Sequence, residues 1–220
     1  MPSTITNSHF SENIVIEYKG KEGWHDVESA LNKINTGIVG HELLVELKDL
    51  CVNDKNIKIV VSEGHTFALP RLTASQIKRF GTPADEFDKF HNEVAEKICE
   101  PHLDGMNGAG TSVTIGWNPM HTAGITQDGR PYMKTDKTGS FISLAHELIH
   151  GHHILTGDYL GGSNPDEFDI YSRHASEEFR TVGIREFYNE RFSENLIRLE
   201  NNFPFRSYYS QLEEEEYDDE

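Results

Sequence analysis

The amino-acid sequence predicts a compact single domain of the α+β class, on three observations. At 220 residues the chain is long enough for one hydrophobic core, whereas two separate cores would both be small. Its composition, 36% hydrophobic and 26% charged residues, is typical of a globular protein and not of a disordered one. Strand-like patterns concentrate in the first half, and helical spacing dominates from residue 140 to about 200, which indicates the α+β class.

The first half of the sequence predicts two strands that flank a pair of helices. Residues 13–20 alternate apolar and polar side chains and end at a glycine, as a strand does. Residues 23–50 show helical spacing, with Asp26 as the expected N-cap and a pair of glycines that divides the pattern into two helices. Residues 55–64 are rich in β-branched side chains and predict a second strand.

The middle of the sequence predicts a helix, a strand and a hairpin. Residues 82–100 predict an amphipathic helix, and glycine-rich residues 105–110 predict a loop. Residues 111–119 predict a short strand, either an edge strand that pairs with an extended peptide or a buried strand of the core. Residues 121–139 predict a loop or hairpin. The apolar face expected for the helix consists of Phe87, Phe90, Val94 and Ile98.

Both ends of the chain predict disorder. Residues 1–12 contain no basic segment followed by an apolar stretch, so we expect a disordered leader and no cleaved secretion signal. Residues 212–220 are almost entirely acidic and predict a solvated, disordered tail. The folded domain is therefore expected to span residues 13–211.

The charge balance excludes one large class of partner. Twenty Lys and Arg residues against 37 Asp and Glu residues give a net charge of −17, which would repel nucleic-acid phosphates. No apolar run approaches the length of a membrane span, so we expect no membrane insertion. Cys51 and Cys99 are too few for a disulfide framework and are expected to be free thiols.

The strongest signal for chemistry is the segment SLAHELIHGHH at residues 143–153. His146 and His150 are four residues apart, so a helix projects both imidazoles from one face, one turn apart. In that position they can bind one metal ion at about 2.0–2.1 Å. Glu147 can reach a water on the same ion and accept its proton as the water attacks a carbonyl. The pattern H-E-x-x-H therefore predicts a zinc site of the zincin type.

Two observations qualify the motif. A match this short also arises by chance on exposed helices, but the apolar neighbours here indicate burial, where uncompensated imidazoles would be costly. His153 shares the same helix face, yet it lies about 10 Å from His146 along the axis, which indicates a supporting or surface role.

A catalytic zinc site also needs a third protein ligand and an open position for water. The metzincin extension of the motif fails, so we expect an acidic ligand on a later helix. The segment SEEFRTVG at residues 176–183 offers Glu177 and Glu178 after Ser176, a potential cap, although negative charge at a helix start needs no metal. At most one of the two glutamates is expected to face the ion, and periodicity does not choose between them. Three aspartates remain alternatives: Asp158, Asp166 and Asp169.

These two segments carry a resemblance to known families. SLAHELIHGHH and EEFRTVG resemble the pair of helices that forms the zinc site of clostridial neurotoxin light chains. In size and layout the whole chain resembles more closely the NleD-like type III effector peptidases, compact zinc endopeptidases that bacterial pathogens inject into host cells. The resemblance is carried by residues 143–183, with a further match in the WNP segment at 117–119. It implies a zincin-like metallopeptidase fold and Zn²⁺ as the cofactor.

The resemblance also implies roles for individual residues. By the family pattern, His146, His150 and Glu178 bind zinc, Glu147 is the general base, and Glu177 supports one of the ligands.

A late Arg-x-x-Tyr pair stabilises the oxyanion in the neurotoxin light chains. The segment PFRSYYSQ offers Arg206 and Tyr209 at this spacing, with Tyr208 as the ambiguous neighbour. An arginine and a phenol are suited to a developing negative charge. The alternative is an ordinary apolar C-terminal segment that packs on the core.

The resemblance implies a host protein as substrate. NleD-like members cut mitogen-activated protein kinases, which makes host kinases the first candidates, and it implies type III secretion and action in the host cytoplasm. Residues 121–139 are expected to set substrate choice, because surface loops vary most. Two alternatives are a zincin-like binding module without turnover and a metal-dependent hydrolase of a non-peptide substrate. The oligomeric state is not indicated by the sequence.

Overall fold

The computed structural model describes residues 2–20, 22–161 and 169–210. These residues form a five-stranded sheet, a two-stranded hairpin and a set of helices, so the predicted α+β class is confirmed. In chain order the elements are β1 (Thr4–Asn7), β2 (Ile14–Tyr18), α1 (Gly23–Ile34), α2 (Ile38–Leu50), β3 (Ile57–Val61), β4 (Phe67–Arg71), α3 (Ala74–Phe80), α4 (Lys89–Cys99), β5 (Ser112–Trp117), β6 (His121–Ile125), β7 (Pro131–Thr135), α5 (Ser140–Thr156), α6 (Arg173–Val182), a short 3-10 helix (Arg185–Phe187) and α7 (Glu194–Glu200).

The large sheet has the strand order β1-β2-β3-β5-β4, with three parallel strands in the centre and antiparallel strands at both edges. Ile16 pairs with Ile59, and Ile59 pairs with Ile115, so one face of the centre is a continuous apolar surface. Helices α1 and α5 pack against the sheet, and α2 packs on α5. The three isoleucines are fully buried in the core that results.

Strand β5 lies inside the sheet, between β3 and β4. The prediction that residues 111–119 are an edge strand is therefore wrong, and the alternative, a buried strand of the core, is correct. All six residues of β5 are buried, because α5 packs on one face of the strand and Thr114 on the other face contacts Arg71 and Glu86. The edge position belongs to β4, which the sequence patterns did not indicate.

The N-terminal segment differs from its prediction. Residues 1–12 were expected to be a disordered leader, but Thr4–Asn7 within them pair with β2 in antiparallel register. The expectation is wrong for these residues, because their backbone completes the edge of the sheet. Residues 212–220, the predicted acidic tail, lie outside the described residues.

Two predicted helix caps are also wrong. Helix α1 begins at Gly23, and Asp26 lies within its first turn, where it forms an ion pair of 2.7 Å with Lys137. Helix α6 begins at Arg173, one turn before the expected start. Its N-cap is Ser172, whose hydroxyl accepts a hydrogen bond from a backbone N–H, and Ser176 lies inside the helix.

The predicted helix over residues 82–100 forms only from Lys89 to Cys99, as α4, and it buries a different face. Phe87 and Phe90, two of the expected core residues, are 65% and 49% exposed. The buried positions are His91, Ala95 and Cys99.

A buried histidine explains the rotation of α4. The carboxylate of Asp88 accepts hydrogen bonds from the first backbone N–H groups and fixes where the helix begins. His91 Nε2 then accepts a hydrogen bond from Leu72 N at 3.0 Å, and its Nδ1 lies 2.8 Å from Pro83 O. The imidazole therefore satisfies two backbone groups that the fold buries, which outweighs the burial of a phenylalanine.

Helix α5 is the central helix of the fold. It packs against β5, α1, α2 and α7, and Leu144 and Leu148 are fully buried in the core. It ends at Gly157 with a φ of 75°, where a Cβ would lie 2.1 Å from Gly108 O, so only glycine fits. This packing fixes the rotation of the helix about its axis, and His146 and Glu147 line a cavity between α5 and the hairpin of β6 and β7.

Two further predictions concern the cysteines and membrane insertion. Cys51 and Cys99 are free and buried, as predicted. Burial raises the pKa of the Cys51 thiol to about 11. Across the described part of the chain, none of the helices has the length and apolar character that a bilayer crossing requires.

Candidate metal centre

Helix α5 carries the two histidines that the sequence singles out. His146 and His150 project from one face, and their Nε2 atoms lie 3.1 Å apart. Glu178 in α6 approaches both rings, with Oε2 at 3.3 Å from His146 Nε2 and Oε1 at 3.2 Å from His150 Nε2. The fold thus brings two residues of α5 and one of α6 to a shared point.

These distances suit a zinc ion. Ligand atoms held about 2.0–2.1 Å from zinc in a tetrahedron are about 3.3 Å from one another. The three separations among His146, His150 and Glu178 are 3.1, 3.2 and 3.3 Å. Two imidazoles and one carboxylate also leave a fourth position open, as catalytic zinc sites do. The residues present therefore fit zinc, and Glu178 is the acidic residue of the 176–183 segment that faces the shared point.

Carboxylates on the far side of both imidazoles fix the ring orientations. His146 Nδ1 lies 2.8 Å from Glu194 Oε2, and His150 Nδ1 lies 2.9 Å from Glu177 Oε1. When each Nδ1–H donates to its carboxylate, each Nε2 presents a lone pair to the shared point. Two lone pairs 3.1 Å apart repel each other unless a positive charge lies beside them. The arrangement is therefore suited to a cation.

In the protein alone, protons supply this positive charge. Burial disfavours the imidazolium of His146, but hydrogen bonds with Glu178 and Glu194 outweigh burial and raise the pKa of His146 to about 9. Burial also opposes the ionisation of Glu178, but the charge of His150 and a hydrogen bond with His146 hold the pKa of Glu178 well below its usual range. Glu178 is consequently a carboxylate at neutral pH, the form that binds a metal.

Glu177 is fully buried and points away from the shared point. Its Oε1 lies 2.9 Å from His150 Nδ1 and 2.6 Å from His153 Nδ1. Its Oε2 accepts hydrogen bonds from Arg180 Nη2 at 2.9 Å and Leu160 N at 3.1 Å. His150, His153 and Glu177 also lie close enough together to hold an ion, but Arg180 already neutralises the carboxylate. The contacts match the supporting role that the family resemblance implies.

Glu194 completes the arrangement, and no sequence motif predicted it. It stands at the start of α7, 48 residues after His146, and no motif surrounds it. Its carboxylate lies 2.6 Å from Arg198 Nε and 2.9 Å from Arg206 Nη1. Burial opposes its ionisation, but Arg206 and Arg198 hold the pKa of Glu194 well below its usual range. Only the position of α7 beside α5 identifies this residue as part of the site.

Glu147 lies beside the histidines and opens onto a cavity of about 410 Å³, which is also lined by His146, Glu194 and Arg206. The side chain of Glu147 is 8% exposed. Burial raises the pKa of Glu147, and the charges of His146 and His150 oppose the rise. A carboxylate with a raised pKa is suited to accept and release a proton near neutral pH.

The hairpin of β6 and β7 forms the facing wall of the cavity, and the C-terminal segment (residues 203–210) holds it in place. Ser207 N donates a hydrogen bond of 2.9 Å to Gly129 O in the hairpin turn. Gly129 has a φ of 89°, and a Cβ there would lie 2.4 Å from Ser207 Oγ. Arg130 stacks over the Tyr208 ring at 4.0 Å. The turn and the C-terminal segment therefore pack as one unit.

In the structure, only one residue of the predicted Arg-x-x-Tyr pair lines the cavity. Arg206 lines the cavity, with its guanidinium on Glu194. Tyr209 is not among the residues that line this cavity. Its phenol oxygen lies 3.4 Å from His174 Nε2, and its ring packs against Phe179 in α6.

The aspartates considered as alternative ligands lie elsewhere. Asp158 pairs with Arg180 at 2.9 Å, and Asp169 accepts a hydrogen bond from Tyr171 N at 3.0 Å. Asp166 lies outside the described residues. Neither described aspartate is part of the groups close enough to hold an ion.

The solved structures that match the chain include botulinum neurotoxin light chains. The catalytic domain of Clostridium botulinum neurotoxin serotype F aligns at 18% identity with a TM-score of 0.44 and covers 74% of this chain and 42% of that one. The light chain of serotype HA aligns at 17% identity and a TM-score of 0.45, covering 84% of this chain and 51% of that one. The type G light chain aligns at 13% identity with a TM-score of 0.44, and the alignment covers 89% of this chain and 59% of that one. This chain thus spans about half the length of the solved chains that it matches.

Sequence comparison identifies a family directly. No curated protein sequence matches the chain. A model of the peptidase M91 family, whose members are described as effector proteins, matches residues 12–209. The match spans nearly the whole chain and confirms the resemblance to NleD-like effectors that the histidine helix indicated. The chain therefore belongs to the peptidase M91 family of effector proteins.

Proposed function

We propose that this effector is a zinc-dependent endopeptidase that cleaves a protein of the host cell. The observation that carries the proposal is the group of three donor atoms, 3.1–3.3 Å apart, on His146, His150 and Glu178. Glu147 lies next to this group and faces a cavity. A metal site, an acidic group of raised pKa and an adjoining cavity are what hydrolysis of a peptide bond requires.

Each residue has a role in the proposed reaction. His146, His150 and Glu178 hold the ion, and zinc bound there supplies a Lewis acid that lowers the pKa of water and polarises a carbonyl. Glu147 accepts the proton of the attacking water and passes it to the leaving amine.

Arg206 is the residue that we propose to stabilise the oxyanion of the tetrahedral intermediate. Arg206 lines the cavity, and Glu194 together with two backbone carbonyl groups holds the guanidinium in one orientation. The phenol of Tyr209 contacts His174 and does not line the cavity. For Tyr209 to stabilise the oxyanion as well, its side chain would have to move away from His174.

The substrate that we propose is a host signalling protein, with mitogen-activated protein kinases as the first candidates. This follows from the resemblance to NleD-like effectors, and so do delivery by type III secretion and action in the host cytoplasm. The hairpin of β6 and β7 is the element that we expect to select the substrate, since Tyr132 and Met133 project from it at the cavity and are 40% and 63% exposed.

The test combines a metal assay with mapping of new protein termini. Purified wild-type protein is expected to contain one zinc ion per chain, and Glu147→Gln is expected to retain the zinc and the fold while proteolysis is lost. Host-cell lysate treated with each protein, followed by mass spectrometry of new N-termini, should reveal cleavage by the wild type alone.

Two outcomes would contradict the proposal in different ways. Wild-type protein that contains no zinc would remove the metal site. Zinc-loaded protein that produces no new termini would favour the zincin-like binding module, the alternative without turnover.

A further inference from the structure

The cavity wall that faces α5 contains a histidine that the proposed reaction does not use. His121 is the first residue of β6, and its ring lines the cavity together with Glu147 and Arg206. His121 Nδ1 lies 3.1 Å from Asn118 Nδ2. The contact determines which nitrogen of the ring carries the proton, provided that the orientation of the Asn118 amide is known.

Two backbone groups fix that orientation. Asn118 Oδ1 accepts a hydrogen bond from Met120 N at 3.0 Å, and Asn118 Nδ2 donates to Gly64 O at 3.2 Å. If the amide were flipped, its oxygen would face the Gly64 carbonyl and its NH₂ would face the Met120 N–H, and both contacts would be repulsive. Asn118 is 4% exposed, so water does not compensate for such a flip.

The Asn118 amide nitrogen can only donate, so His121 Nδ1 must accept. The neutral imidazole of His121 therefore carries its proton on Nε2. Within the described residues the side-chain hydrogen bond of His121 involves Nδ1, and Nε2 is not among the buried polar atoms that lack a partner. The Nε2–H group is thus a hydrogen-bond donor at the cavity wall, and its orientation is set by the buried Asn118 amide.

We propose that His121 contacts the substrate, donating its Nε2–H to a backbone carbonyl of the peptide that occupies the cavity. The inference rests on the proposed endopeptidase function. An N–H donor of fixed orientation is complementary to a peptide carbonyl, which is an acceptor whatever the side chains of the substrate are. Asn118 is the positioning residue, since it acts through the His121 ring.

The tautomer can be measured without a substrate. Long-range ¹⁵N–¹H correlation spectra of the ¹⁵N-labelled protein, with the His121 signals assigned by comparison with His121→Gln, should show the Nε2–H form. Asn118→Asp replaces the donor with an acceptor and should move the proton to Nδ1. An Nδ1–H tautomer in the wild type would overturn the assignment, and this spectrum decides the matter even if Asn118→Asp fails to fold.

The substrate contact is tested by kinetics on a peptide that spans the cleavage site mapped in lysate. Loss of one hydrogen bond in His121→Phe should raise KM about five- to tenfold while kcat changes less than about twofold. His121→Gln, which keeps an N–H donor, should recover part of the affinity. In the Glu147→Gln background, fluorescence anisotropy of the labelled peptide should show the same order of affinities without turnover.

The outcomes separate this inference from the proposed function. Unchanged KM and peptide affinity in His121→Phe would refute the contact, and a fall in kcat alone would assign His121 to the chemical step instead. A wild-type protein that cleaves nothing would remove the proposed function and the substrate role together, whereas the tautomer would still be established by its spectrum.

Discussion

Two adjacent glutamates in α6 have opposite surroundings, although they are chemically the same. Glu178 faces the Nε2 atoms of both histidines, whereas Glu177 is enclosed by His153, Arg180 and the far side of His150. The sequence could predict that at most one of the two faces the site, because neighbouring residues differ by about 100° around a helix. It could not say which, because the choice depends on how α6 is rotated against α5.

The two glutamates should therefore respond differently to the same substitution. Glu178→Ala removes a donor atom from the shared point, so zinc content at equimolar metal should fall almost to zero. Glu177→Ala removes only the support of one imidazole, which is expected to weaken zinc affinity about 10- to 100-fold. Competition with a chromophoric chelator measures both affinities, and the reverse order would assign Glu177 as the ligand.

At the scale of elements, local sequence patterns predicted which segments form strands and helices. They were less successful in predicting which elements pack against one another. The strands at 13–20, 55–64 and 111–119 all form, as does the hairpin at 121–139. Residues 67–71 were not predicted to form a strand, and the position of β4 at the edge of the sheet depends on contacts between distant parts of the chain, which local patterns do not show. The buried face of α4 was predicted wrongly for a different reason. The prediction rested on the spacing of apolar residues alone, whereas the fold buries a histidine whose ring forms hydrogen bonds with two backbone groups.

The role of His91 in α4 has a direct consequence for stability. His91→Leu fills the same buried space with an apolar side chain but leaves Leu72 N–H and Pro83 C=O without their hydrogen-bond partner. This loss should lower the free energy of unfolding by roughly 3 kcal/mol. Phe87→Ala, an exposed position of the same segment, should change it by less than about 0.5 kcal/mol. Urea unfolding followed by circular dichroism measures both, and equal effects would contradict this account of the rotation of α4.

At the scale of the whole molecule, the candidate site joins helices that are far apart in sequence. His146 and His150 belong to α5, Glu178 to α6 and Glu194 to α7. The sequence alone predicted the histidine pair, since it lies on one helix, and the family resemblance supplied Glu178. Glu194 needed the assembled fold. An ion at the shared point would therefore connect the helical second half of the chain.

Zinc should accordingly stabilise the fold. An ion that binds only the folded state contributes about 2.7 kcal/mol at a free concentration of 100 times Kd. For a chain of this length that corresponds to a rise in Tm of roughly 5–10 °C. Calorimetry with and without EDTA measures the shift, and Glu178→Ala is the matched control that should not respond to the chelator.

The zinc-free protein should in turn have a defined pH range of highest stability. The folded pKa of Glu178 and of Glu194 lies below the ordinary value of 4.5, so their contribution is complete above about pH 4.5 and is lost as pH falls further. The pKa of His146 is raised from 6.5 to about 9, so its contribution is complete below pH 6.5 and is lost as pH rises through 9. Urea unfolding in EDTA across this range should show a maximum between these limits, and a maximum at alkaline pH would contradict it.

The packing of the hairpin turn against the C-terminal segment has a consequence for access. Because Gly129 and Arg130 contact Ser207 and Tyr208, the turn of the hairpin wall is held in position by the described part of the C-terminal segment. A space of about 410 Å³ accommodates a few residues of an extended chain and not a folded surface. The substrate must therefore change its conformation to fit the cavity. The enzyme that we propose would cleave host proteins in flexible segments that can extend away from their folded domains.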